Sequence, residues 1–305
     1  MSIYLVTGPP GTGKTWYSVR RIFNALQAHQ WVASNVELRP GWSDVLARRQ
    51  LLAIVRRSWA WRPSVRKRRR AAARLEIAAD YESHCFVSGE LAELMALRLP
   101  ACGRCKACRE ERVCMREGRG IMILDEAHEW LNARTWDTDA EGGSLTKVEA
   151  TAIRLAIVRF FALHRKLGWH IYLVTQDEKR LDNQVRGNFE YHTRLKNLRK
   201  VKVPYTLGLI PLWFKDLFVA ITVWHGSGGV RVGTEMYGIN KLADQYDTMA
   251  SPSLRLGEER DHEVIRLPLD ERQVAARARG ERIWGIAPGD GEHGVDGSAE
   301  PEAKP

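Results

Sequence analysis

An α/β fold is predicted, with a mostly parallel central sheet flanked by helices, extra β-strands C-terminal to that core and a disordered C-terminal tail. Three observations predict it. "SIYLVT" is an apolar strand that runs into a glycine-rich loop, a helical stretch and then "WVASNVEL", a second strand; strand, loop, helix, strand opens a parallel sheet. "GIMILDEAH" and "WHIYLVTQD" are further apolar strands, each ending in polar residues. From Phe189 to Gly238 the pattern turns β-like, and beyond Ser251 the chain is charged and poorer in large apolar residues.

In chain order, the helix after the loop is expected over about Lys14 to Ala28. Residues from about Trp42 to Asp80 read as helical and strongly basic, with Pro63 separating two helices. "HCFVSGELAELMAL" predicts a short strand, a Ser88 cap and a helix with Glu90 in its first turn. "RTWDTDAEGGS" is a polar loop. Thr146 to Leu167 has Ile153, Ile157, Phe160 and Phe161 at helical spacing, and "KRLDNQVRG" is a short helix. Residues 1–248 therefore form one domain, with a basic helical insertion at about 42–80 and a Cys-rich insertion at about 99–118. Residues 249–305 form a hydrophilic, largely disordered tail. The pattern contains no internal repeats.

The chain has 305 residues and a net charge of +10. That excess favours an anionic partner, DNA or a membrane surface, over a merely solvated basic face. No basic stretch, apolar core and cleavage site stand in order at the start, so a cytoplasmic location is expected. The longest apolar run, Leu207 to Val223, is interrupted by Pro211, Lys215 and Asp216. It reads as two buried strands or a membrane-apposed element rather than a span.

"GPPGTGKT", comprising Gly8, Pro9, Pro10, Gly11, Thr12, Gly13, Lys14 and Thr15, fits the phosphate-loop pattern between a strand and a helix. Loop N–H groups and the helix N-terminus suit phosphates. Lys14 suits the β and γ phosphates of ATP, and the Thr15 hydroxyl suits Mg²⁺. Asp125, at the end of "IMILD", suits Mg²⁺ too, directly or through water. Glu126 beside it is placed to deprotonate an attacking water. A phosphotransferase does not require that second carboxylate, so the pair favours a hydrolysing P-loop NTPase. Gln176 ends a later strand and would sense the γ-phosphate or position water. Arg134, Arg165 and Arg186 are candidates for an arginine supplied across a subunit interface.

Cys102, Cys105, Cys108 and Cys114 crowd into one short stretch. Four thiolates there suit structural Zn²⁺; an iron–sulfur cluster and free or redox thiols are the alternatives. His84 and Cys85 are reserve ligands. Arg56 to Arg74, with Trp59 and Trp61, suits a phosphate backbone with stacked bases, or a lipid interface.

"YLVTGPPGTGKT", "ILDEAHEWL", "FFALHRKLGWHIYLVTQD" and "LDNQVRGNFEYH" together resemble the zonular occludens toxin (Zot) N-terminal domain, shared with the assembly ATPases of filamentous phages in the FtsK–HerA branch of P-loop motors. The resemblance covers about Ser2 to Thr248, and the "HRKLGWHIYLVTQD" and "LDNQVRG" blocks are its more specific part. It implies the same nucleotide roles for Lys14, Thr15, Asp125, Glu126 and Gln176, and it puts Arg165 and Arg186 in characteristic blocks. It also implies a ring-forming motor at the inner face of the cell membrane that drives phage DNA export, packaging or virion assembly, with coat or assembly proteins as partners. Such proteins usually carry a transmembrane helix after the ATPase domain, whereas this tail is hydrophilic. The basic stretch and the cysteine cluster depart from the family pattern too. Two alternatives stand beside the motor: a AAA+-like protein-remodelling ATPase, which needs a helical lid after the core, and a nucleotide-gated assembly scaffold.

Overall fold

The computed structural model describes residues 2–57, 63–100, 120–129, 131–132, 146–198, 217–239, 241–246, 265–266, 268–269 and 271–278. Its elements are β1 (Ile3–Thr7), α1 (Lys14–Gln27), β2 (Trp31–Ser34), α2 (Trp42–Arg57), α3 (Pro63–His84), β3 (Cys85–Val87), α4 (Leu91–Ala96), β4 (Leu97–Arg98), β5 (Gly120–Leu124), α5 (Lys147–Leu167), β6 (Trp169–Thr175), α6 (Asn183–Arg186), β7 (Tyr191–Asn197), β8 (Leu217–Trp224), β9 (Val230–Gly238), β10 (Ile265–Arg266) and α7 (Glu271–Ala278).

Eight strands form one sheet in the order β3-β2-β5-β6-β1-β7-β8-β9. Every pairing from β3 across to β7 is parallel, and β8 and β9 add on antiparallel. The predicted mostly parallel sheet with β-strands added C-terminally is therefore what forms. The strand alternation decides which layer each residue joins. In β5, Ile121 and Ile123 pack on the α1 side and Met122 and Leu124 on the α5 side. A strand buried on both faces has no polar alternation to show, which is why these strands read as continuous apolar runs.

α1 turns Trp16, Val19, Phe23 and Leu26, with Tyr17 and Ile22, into its layer. That is the stripe a 3.6-residue period makes. α5 covers the other face with Ile157, Phe160 and Phe161. It stops at Gly168, whose φ of 86° is the left-handed form that glycine adopts at little cost.

Gly120 sits directly beside Trp169 in the β5–β6 register. A Cβ there would come within 2.6 Å of the indole and 2.9 Å of Leu99. Gly120→Ala should therefore destabilise the fold by about 1–3 kcal/mol through overpacking. A denaturant melt reads this directly, and an unchanged midpoint would contradict it.

Three details differ from the sequence expectation. Glu90, not Ser88, holds the N-cap position of α4, and the acid of its first turn is Glu93. Ser88 acts two residues earlier: its Oγ accepts the Glu90 N–H at 3.0 Å and donates to Glu93 at 2.6 Å. The "KRLDNQVRG" stretch is split into a 3₁₀ turn at Glu178–Arg180 and α6. Within 249–305, β10 pairs with β4 and α7 buries Ala276 in the α5-side core, with Leu269 packed against it. Those apolar side chains give this part of the tail something to bury. Of the Leu207–Val223 run, 217–223 belongs to the strand β8, and 207–216 lies outside the described residues. No helix among the described residues is long and apolar enough to cross a membrane.

Candidate functional site

The carboxyl ends of β1, β6 and β5 lie side by side. Thr7 is level with Thr175, and Leu124 with Leu173. The residues that follow these ends, 8–15, Gln176 and Asp125–Glu126, are thereby gathered at one edge of the sheet, where ligands of open parallel sheets gather. The strand carrying Gln176 stands between the loop strand and the acidic strand.

The loop owes its shape to its glycines. Gly11 and Gly13 have φ of 75° and 74°. A Cβ on Gly8 would come within 2.6 Å of Thr12 Oγ1, and one on Gly13 within 3.0 Å of the Phe218 ring. The Thr12 hydroxyl donates to Pro9 O at 2.7 Å, closing the turn. Asn197 donates to Gly11 O at 3.2 Å, so β7 and β8 brace the loop from the side. No side chain caps α1, whose N-cap is Gly13. Its first N–H groups are left for an anion, as a phosphate site requires.

Lys14 curls back into its own loop and is buried. Its Nζ donates to Gly8 O at 3.0 Å and Pro9 O at 3.3 Å. Burial holds its pKa below the ordinary lysine value, against the opposing pull of Glu126 and Asp125. A buried cation satisfied only by carbonyls is a site built for an anion.

Asp125 is 4% exposed. Burial pushes its carboxyl up to about 6, opposed by a hydrogen bond from Thr15. The two proposed Mg²⁺ ligands therefore touch each other, and the cost of burying the carboxylate is one that a divalent cation would remove. Such a cation would be held by Thr15 and Asp125, where it would offset phosphate charge.

Asn35, just beyond β2, fixes the Asp125 backbone. Its Nδ2 donates to Asp125 O at 2.9 Å, and its Oδ1 accepts the Asp125 N–H at 2.7 Å. Asn35→Ala would orphan two buried backbone groups and should cost about 2–5 kcal/mol. Chemical denaturation of the variant checks this, and unchanged stability would refute it.

Glu126 follows with φ 49°, its N–H held by Asp125 Oδ1 at 3.0 Å. Gln176 is half-buried just past β6.

The structure thus brings Lys14, Thr15, Asp125, Glu126 and Gln176 together. It does not bring Arg165 to them. Arg165 ends α5 and ion-pairs with Glu190, whose N–H donates to Ile3 O at the opposite, N-terminal edge of the sheet. α5 runs antiparallel to the strands, so its last turn must lie there. Arg186 is half-buried at the end of α6, on the turn leading to Glu190. Arg134 lies outside the described residues. So do Cys102, Cys105, Cys108, Cys114, Trp59 and Trp61, and the side chains of 52–70 in the basic stretch. Among the described residues no group of three or more His, Cys, Asp or Glu is placed to hold a metal. Of the reserve ligands, Cys85 is buried in the α1-side core, and His84 stacks on Trp31 at 4.3 Å.

Sequence reasoning missed Asn35, Asn197 and Phe218. Only Asn35 left a trace, a polar residue directly after an apolar strand.

Residues 96–209 match the family model described as zonular occludens toxin (Zot). The chain is 26% identical over 212 residues to the Gene 1 protein of Enterobacteria phage I2-2, covering 69% of this chain and 44% of that protein. It is 28% identical over 206 residues to the Gene 1 protein of Enterobacteria phage M13, covering 67% and 45%. It thus spans less than half the length of these relatives. The N-terminal domain of zonular occludens toxin from Neisseria meningitidis aligns with 81% of this chain and 98% of its own, at 16% identity and a TM-score of 0.36, too loose to carry an argument. The stretch 96–209, which carries Asp125, Glu126 and Gln176, is thus similar to the Zot family model, in line with the resemblance of the sequence blocks it contains.

Proposed function

We propose that the chain is an ATP-hydrolysing motor of the Zot and filamentous-phage assembly type, driving phage or mobile-element DNA export, packaging or virion assembly. The observation that carries this is the convergence of a phosphate loop with the Asp125–Glu126 pair across the strand that ends at Gln176. Loop N–H groups and Lys14 bind the phosphates, and Thr15 and Asp125 hold Mg²⁺. Glu126 takes the proton of the attacking water, and Gln176 orients that water. Arg165, at the opposite edge of the sheet, and Arg186 are the candidates for an arginine supplied to a neighbouring subunit in a homo-oligomeric ring. DNA is the anionic partner favoured by the net charge of +10. The cysteine cluster would hold Zn²⁺ as a staple of its insertion. Coat or assembly proteins and the inner face of the membrane are further contacts of such a motor.

A protein-remodelling ATPase would carry a helical lid after the core. Here β7, β8 and β9 instead extend the main sheet, which favours the motor.

The test is ATP hydrolysis by the purified protein alone, with single-stranded DNA and with duplex, with Lys14→Ala as blank. Stimulation by one DNA form is expected. Activity indifferent to both would overturn the DNA motor and point to a protein or membrane partner.

A further inference from the structure

Glu126 is held by more than its neighbour Asp125. Its backbone is left-handed, a conformation that non-glycine residues keep only where the surroundings impose it. Its Oε2 is buried and accepts no hydrogen bond among the described residues. His128 Nδ1 lies 3.2 Å from that oxygen. The same nitrogen is 3.4 Å from Thr175 Oγ1 at the end of β6, and His128 Nε2 is 3.5 Å from an Nη1 of Arg180.

Donor chemistry assigns the imidazole tautomer. A guanidinium only donates, so Nε2 is the acceptor toward Arg180, and in the neutral ring Nδ1 carries the proton. The Thr175 hydroxyl donates to Asp177 O at 3.3 Å. It therefore also meets Nδ1 as an acceptor. The Nδ1–H thus has two acceptors in reach, the end of the Gln176 strand and the buried oxygen of Glu126. A small rotation of the ring passes it from one to the other.

We infer that His128 is a positioning residue for Glu126, with its tautomer set by Arg180. It steadies Oε2, and it ties the carboxylate to the strand that ends beside Gln176. Arg180, exposed on the 3₁₀ turn at Glu178–Arg180, is the surface end of this chain of donors. The inference rests on Glu126 being the hydrolytic carboxylate.

The test compares ATP turnover, the KM for ATP and binding of a fluorescent ATP analogue in the full chain and its variants. His128→Ala should lower kcat by about 10- to 100-fold, the scale on which loss of orientation acts, with KM and nucleotide binding unchanged. His128→Asn should recover much of the rate, because its amide N–H falls near the place of Nδ1. His128→Gln, whose amide falls nearer Nε2, should not. In a Glu126→Gln background, His128→Ala should cost nothing further, since groups acting as a unit are not additive. If Glu126→Gln is slow while His128→Ala turns over like the unaltered chain, the inference fails and the hydrolytic reading stands. If His128→Ala slows the Glu126→Gln variant further, His128 acts elsewhere and the inference also fails. If Glu126→Gln itself turns over normally, the hydrolytic reading has failed first.

Discussion

Glu126→Gln should reduce ATP turnover by about 10²–10⁴-fold, the contribution of a positioned general base, while leaving nucleotide binding intact. The amide has the shape of the carboxylate, so the packing around it is kept. It cannot accept the proton that water must lose. The backbone of residue 126 is held independently of its side chain, by the bond from its N–H to Asp125 Oδ1 and by the Ala127 N–H donating to Val174 O at 2.8 Å. The variant should therefore fold and trap nucleotide. Single-turnover hydrolysis beside an equilibrium binding titration reads both quantities. Full turnover would remove Glu126 from the chemistry. Lost binding would mean that Glu126 acts in the ground state.

The second large effect is on affinity. Lys14→Met keeps most of the aliphatic stem and removes the charge. Charge-assisted hydrogen bonds contribute about 1.5–3 kcal/mol each, so losing one weakens ATP binding about 10- to 150-fold, and losing two weakens it more. The same substitution should not destabilise the empty protein. Lys14 is buried against the Gly8 and Pro9 carbonyls, and burial lowers its pKa. The sign follows from that direction. A lysine whose folded pKa lies below its unfolded value costs stability at neutral pH, and the cost shrinks only as pH rises toward its ordinary range. Removing the cation removes the cost. A melting temperature equal to or above that of the unaltered chain, with weakened nucleotide binding, is the expected pair of results. A large drop in melting temperature would mean that the ammonium is a structural staple of the loop.

Much of this site was legible because its signals are local. A phosphate loop requires glycines at fixed offsets between a strand and a helix, and Gly8, Gly11 and Gly13 stand at those offsets. Asp125 and Glu126 are adjacent and directly follow an apolar run, so their place at a strand end needed no tertiary knowledge. Gln176 was reached in the same way. The helix bounds at Lys14, Trp42, Pro63 and Leu167 agree with the structure to within a residue or two, since periodicity and proline act over a few positions.

What escaped the sequence reading depends on pairing between distant segments. Asn35 meets Asp125 across 90 positions and Asn197 meets Gly11 across 186. No local pattern marks either one. The two arginines show the converse: the blocks around Arg165 and Arg186 stand out as sequence, yet α5 must run back along the sheet, which carries Arg165 to the edge away from the phosphates.

The sequence by itself determined which residues the proposed chemistry rests on, the phosphate loop, Asp125 and Glu126 after one apolar strand and Gln176 after another, because each rests on residue type and short spacing. Only the tertiary structure decided their order, by placing β6 between β1 and β5, since strand order is set by how whole apolar faces pack and not by any few residues. The same packing decided which side chains support the site, with Asn35 on Asp125, Asn197 and Phe218 on the loop, and His128 beside Glu126.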